Sequence, residues 1–145
     1  MKSKKEEVKK EEKIKKEEKF YLFDAKGRIL GRLATEIANV LNGKNSVLYD
    51  PAKDLGNWVV VVNSDKVRLS GEKSQKKLYW RFSGYPGGIY KRTFSEMMKL
   101  DSTKVIEKAV KGMLPKNKLS SRKLERLRVF KNEEHPYNDK INQRK

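Results

Sequence analysis

Residues 20–62 run FYLFDAKGRILGRLATEIANVLNGKNSVLYDPAKDLGNWVVVV, and their reading decides the fold. Phe20-Tyr21-Leu22-Phe23 is a short apolar, aromatic run that stops at Asp24, as a strand does. Ala25-Lys26-Gly27-Arg28 is the turn after it. Leu30, Leu33, Ala34, Ile37, Ala38 and Leu41 then recur at helical spacing, which predicts an amphipathic helix with one apolar stripe. Gly43 is its C-terminal stop. Trp58 to Val62 is β-branched without polar alternation, so it reads as a strand covered on both faces. Strand, helix and buried strand make the βαβ unit of a parallel sheet.

Downstream, Val67-Arg68-Leu69 reads as one more short strand. Residues 70–92 break the pattern. Leu78 to Phe82 and Ile89-Tyr90 flank Ser83-Gly84-Tyr85-Pro86-Gly87-Gly88, a basic, aromatic, hairpin-like excursion. Thr93 with Glu96 is a capping box for a short helix carrying Phe94, Met97 and Met98. Ser102 or Thr103 is expected to start the next helix, with Val105, Ile106, Ala109, Val110 and Met113 inward and Pro115 barring its continuation. Ser120 or Ser121 is expected to cap a third, with Leu124 and Leu127 inward. Val129-Phe130 returns as a last strand, and the polar tail beyond Lys131 is expected to be loose.

Residues 1–19 repeat KK and EE blocks, and Val8 and Ile14 stand too far apart to form a stripe. This segment is expected to be a charged arm, dispensable for folding. The chain thus divides into a charged extension over 1–19, one α/β domain over 20–131 and a polar tail over 132–145.

Composition narrows the chemistry. The chain has 145 residues, which suits one domain plus a tail. It has no cysteine, which excludes a disulfide scaffold, a zinc ribbon and a cysteine nucleophile. His135 is the sole histidine, it lies in the tail, and no partner for a catalytic base is evident. Gly27 and Gly31 lack the G-x-G-x-x-G spacing, and Gly43-Lys44 is followed by Asn45, so neither phosphate-loop motif is met. The longest strongly apolar run, Trp58–Val62, is far short of the ~20 residues that span a bilayer. With no apolar leader either, the expected location is the cytoplasm.

The charge is the strongest signal. The net is +17, and two stretches, 66–92 and 102–130, each carry +7, whereas residues 20–65 are neutral. Lys outnumbers Arg 27 to 9, as an AT-rich genome would favour, but that bias does not explain why the two stretches hold so few acids. The pattern points to a polyanion, and nucleic acid fits better than a membrane, because the amphipathic faces are needed for a core. In 66–92 the cations mix with Tyr, Trp and Gly, as suits gripping phosphates and stacking on bases. Alternation with Tyr79 and Arg81 assigns Trp80 and Phe82 to the core.

Several blocks also resemble a known family. They are Asp24-Ala25-Lys26-Gly27 with Leu30-Gly31-Arg32-Leu33-Ala34, then Leu41-Asn42-Gly43-Lys44 and Asn63-Ser64-Asp65-Lys66-Val67. Ser83-Gly84-Tyr85-Pro86-Gly87-Gly88, Val110-Lys111-Gly112-Met113-Leu114-Pro115-Lys116 and Glu134-His135-Pro136 complete the set. From about Phe20 to Pro136 the chain resembles the bacterial-type large-subunit ribosomal protein L-thirteen family. The resemblance implies a three-layer α/β/α domain with a small, mostly parallel sheet. It implies a structural constituent of the 50S subunit that binds 23S-type ribosomal RNA directly, supports early assembly and meets neighbouring large-subunit proteins. It implies no enzymatic activity and no cofactor. The rivals are a free-standing nucleic-acid-binding regulator and a small nucleotide-binding enzyme. The family commonly has glycine at Asn117 and at Ser120, and often histidine at Ala52 and at Tyr137.

The expected RNA contacts follow from charge and motif together. They are Lys26, Arg28, Arg32 and Lys44 around the first helix, and Lys73, Lys76, Lys77, Tyr79, Arg81, Tyr85, Lys91 and Arg92 in the excursion. Lys111, Lys116, Lys118, Arg122, Lys123 and Arg126 lie at the joint between the later helices, and His135 is in the tail.

Overall fold

The computed structural model describes residues 19–47 and 49–142. The arm expected over 1–19 lies, apart from Lys19, outside the described residues.

Strand β1 (Phe20–Asp24) pairs in parallel with β2 (Trp58–Val62), Phe20 opposite Trp58 and Asp24 opposite Val62. Helix α1 (Leu30–Asn42) makes the crossover between them. The other edge of β2 pairs in parallel with a strand near the C-terminus (Leu127–Val129), which places the apolar run Trp58–Val62 at the centre of the sheet. This explains why the run lacks alternation: Val59, Val60, Val61 and Val62 are all buried. Gly43 closes α1 at φ +81, a left-handed geometry that costs a residue with a Cβ, and its N–H donates to the Asn39 and Val40 carbonyls.

Register assigns the two sheet faces. Tyr21, Phe23, Val59, Val61, Leu127 and Val129 pack with Leu33, Ile37 and Leu41 of α1 and with Val105, Ile106 and Val110 of a long second helix, α2 (Phe94–Met113). Phe20, Trp58 and Val60 occupy the opposite face, where the C-terminal segment covers them. There Phe20 stacks on Trp58 at 5.6 Å and on Tyr137 at 6.0 Å, and Tyr137 lies 6.2 Å from Phe130. The third layer is therefore thin: a tail segment that carries one short helix against β1. The tail expected to be loose packs because Tyr137 lays its ring against Phe20 and Phe130, an apolar contact that charge counting passes over.

The helix boundaries differ from expectation for local reasons. The Thr93–Glu96 capping box forms, with both reciprocal hydrogen bonds. The two helices expected after it are one element broken at Asp101, whose backbone is extended at φ −162 and ψ 101. Asp101 Oδ1 accepts from Thr103 N at 3.2 Å and Thr103 Oγ1 at 2.7 Å, so Asp101 is the cap rather than Ser102 or Thr103. Ser102 is fully buried instead, its Oγ 2.7 Å from Ser64 Oγ and also bonded to Asp65. The next helix, α3 (Leu119–Glu125), begins before Ser120, because Asn117 Oδ1 accepts from Ser120 N at 3.1 Å. Met113, expected inward, is 42% exposed. Val67 to Leu69 contribute one parallel bridge, Ile29 to Arg68, and no full strand.

Candidate nucleic-acid interface

Residues 78–93 form an antiparallel ribbon separate from the central sheet. Strand β3 (Leu78–Phe82) pairs with β4 (Ile89–Thr93), and Ser83–Gly88 makes the turn, with Ser83 N donating to the Gly88 carbonyl at 2.9 Å. The strand after α3, Leu127–Val129, is β5. A single helical turn, Lys73–Lys76, precedes the ribbon.

Strand alternation divides the ribbon's side chains. Tyr79, Arg81, Tyr90 and Arg92 share one face, and Leu78, Trp80, Phe82, Ile89 and Lys91 share the other. Tyr79 is the aromatic residue that packs against the core, and burial pushes its phenol pKa up. Its hydroxyl is buried with no hydrogen-bond partner, and its ring carries the ammonium groups of Lys77 at 5.5 Å and Lys108 at 5.4 Å. Trp80 and Phe82, expected in the core, are 63% and 64% exposed. The alternation holds with the opposite sense: the ribbon's inner face is set by its contact with α2, which no local pattern reveals. Arg81, Tyr85, Lys91, Arg92, Lys73 and Lys76 are exposed, and Lys76 pairs with Glu72, the sole acid of that stretch.

The second basic group sits where α2 ends and α3 begins. Lys111, Lys116, Lys118 and Arg122 are exposed. Two expected contacts are not. Lys123 is 3% exposed and donates to Asn42 Oδ1 at 3.1 Å, which ties α3 to the end of α1. Burial lowers its pKa. Its place on the inward side of α3 buries the whole aliphatic stem, and the ammonium then meets Asn42 rather than solvent. Arg126 forms a two-pronged ion pair with Asp54, Nη1 to Oδ1 at 2.8 Å, with side chains only 14% and 16% exposed. Its guanidinium is committed to holding the loop before β2. Arg128, absent from the expected set, is exposed on β5 with its guanidinium 5.8 Å from the Trp58 ring. Together with Trp58, Arg122, Glu125 and Arg126 it lines a cleft of about 550 Å³. Inward Leu127 followed by outward Arg128 is the signal for it, had the last strand been started at Leu127.

Around α1, Lys26, Arg32 and Lys44 are exposed, while Arg28 Nη2 donates to both carboxylate oxygens of Glu36, at 2.8 and 2.7 Å. At the ends of β1 and β2, Asn63 adopts a left-handed backbone at φ 59 and donates to Asp24 Oδ1 at 3.0 Å. The Lys26 N–H and this Asn63 bond hold the Asp24 carboxyl below the usual carboxylate range. His135 is half-buried, and its Nδ1 accepts from Tyr137 N at 3.2 Å. No group of three His, Cys, Asp or Glu side chains that could hold a metal gathers among the described residues.

The arrangement defines a small parallel α/β protein that displays its cations in two groups, one on a projecting ribbon and one at a helix joint. The chain belongs to the family described as Ribosomal protein L13, which matches residues 18–136. It is 46% identical over 135 residues to the large ribosomal subunit protein uL13 of Syntrophotalea carbinolica, covering 93% of this chain and 89% of that one. To the protein of the same name from a Synechococcus strain it is 50% identical over 118 residues, covering 81% and 79% of the two chains. To that of Mycobacterium tuberculosis it is 48% identical, covering 81% and 80%.

Proposed function

We propose that this protein is a structural constituent of the large ribosomal subunit, that it binds 23S-type ribosomal RNA directly, and that it supports early assembly of the subunit. On this reading it works in the cytoplasm, within the ribosome, beside other large-subunit proteins. The observation that carries the reading is the family match over nearly the whole body, joined to two +7 stretches whose cations are mostly exposed. The ribbon and the helical turn before it contribute Lys73, Lys76, Arg81, Lys91 and Arg92, and the joint contributes Lys111, Lys116, Lys118 and Arg122. Cations of this kind release counterions from RNA, so binding depends steeply on salt.

Two measurements test it. Co-sedimentation with 50S particles through a high-salt wash separates a built-in constituent, which stays, from a free-standing regulator, which washes off. Affinity for a 23S fragment should fall with salt, log K against log salt losing ~0.7–0.9 per phosphate contact. Affinity that stays flat from about 50 to 300 mM salt refutes the electrostatic reading.

A further inference from the structure

The outer face of the ribbon gathers several exposed apolar side chains. Leu78, Trp80, Phe82 and Ile89 share it and are 40%, 63%, 64% and 61% exposed. Tyr85, in the turn beyond, is 76% exposed. Phosphate binding does not call for a tryptophan and a phenylalanine in water, and large exposed apolar patches mark binding surfaces. We infer that this face stacks on unpaired RNA bases, so that the ribbon reads single-stranded or looped RNA while the helix joint grips backbone. The inference rests on the RNA-binding reading above and names the part of the RNA that the ribbon takes.

Two observations favour bases over a protein partner. Cations flank the face: Lys91 shares it, opposite Trp80 across the strands, and Lys73 and Lys76 are exposed on the turn just before Leu78. An RNA loop supplies both aromatic surface and phosphates to such a mixture, whereas a protein surface would have to be apolar and acidic together. The second observation is spacing. Trp80 and Phe82 are two residues apart on one strand face, about 6.8 Å at the rise of an antiparallel strand. That is twice the ~3.4 Å between stacked bases, which leaves room for one base between the two rings. Neither ring belongs to the aromatic pairs among the described residues, which involve Phe20, Trp58, Phe130, His135 and Tyr137.

The test uses the full chain with Trp58→Phe, which leaves Trp80 as the single tryptophan. Adding a 23S ribosomal RNA transcript should quench its fluorescence, and single-stranded oligouridine should compete for that signal better than a duplex of equal length. Trp80→Ala should weaken binding to the transcript about tenfold, within the range for one lost base stack. The slope against salt should stay unchanged, because no charge is removed. Trp80→Tyr should recover most of the loss, and Lys91→Ala should lower the slope instead. Circular dichroism checks that each variant is folded. If Trp80→Ala and Phe82→Ala both bind the transcript as the parent does, the inference is overturned while the RNA-binding reading stands. A Trp80→Ala chain that keeps its RNA affinity but loses a large-subunit protein partner overturns it in favour of protein docking. A parent chain that does not bind the transcript at all removes the functional reading itself.

Discussion

Removing the Arg126 side chain should unfold this protein more readily, which makes Arg126 a poor reporter of RNA contact. The guanidinium and the Asp54 carboxylate are 14% and 16% exposed and meet in a two-pronged ion pair. Arg126→Ala leaves the carboxylate desolvated and unpaired. Breaking a buried pair from one side costs about 3–5 kcal/mol, and the residual exposure here favours the lower end, about 3 kcal/mol. For a body of this size roughly 4 °C accompanies each kcal/mol, so the midpoint should fall by about 12 °C. Arg122→Ala, a neighbour on the same cleft but exposed, should shift it by less than about 2 °C. Thermal unfolding followed by circular dichroism reads both. Asp54→Ala and the double variant complete a cycle: the double should be more stable than the sum of the two losses implies, because neither leaves the other's charge stranded. A midpoint for Arg126→Ala within two or so degrees of the parent, or strict additivity in the cycle, refutes the structural role.

Three further outcomes are expected. Thr93→Ala removes one half of the capping box and should cost about 1 kcal/mol in urea unfolding, whereas Thr93→Ser should cost little. Because the buried amine of Lys123 has a pKa below its unfolded value of 10.5, the folded state binds fewer protons in the window beneath 10.5. Stability should therefore gain as pH rises through that window, and the difference between the parent and Lys123→Met should move in the parent's favour; a flat difference counts against the buried amine. Ending the chain after Lys131 strips Tyr137 from Phe20 and Phe130, so stability should drop by about 2 kcal/mol and Trp58 emission should shift to the red.

The ribbon and the joint show how far sequence reaches in the candidate interface. Charge counts located both segments, because depletion of acids is visible without coordinates. They did not separate cations that face water from Lys123 and Arg126, which lie on the same short helix or just past it and belong to the same +7 stretch. Exposure depends on which side of α3 meets α1 and on where Asp54 arrives, and Asp54 is 72 residues away along the chain. Helix starts fall a residue or two from where the pattern puts them for a related reason. Asp101 and Asn117 compete with nearby serines and a threonine for the same orphan N–H groups, and tertiary burial of Ser102 settles one of those contests.

The sequence by itself determined the βαβ start, the two-sided burial of the Trp58–Val62 strand, the apolar stripe of α1 and the capping box at Thr93. Each is a local pattern with one physical solution: a period of 3.6, a β-branched run with no polar side to expose, a hydroxyl three residues before a glutamate. Only the tertiary structure decided that Tyr79 turns inward and Trp80 outward, and that the polar tail closes the second face of the sheet. Strand alternation gives two faces but does not say which one meets α2, and a tail finds its place only when Phe20, Trp58 and Tyr137, far apart in the chain, come together to shed water.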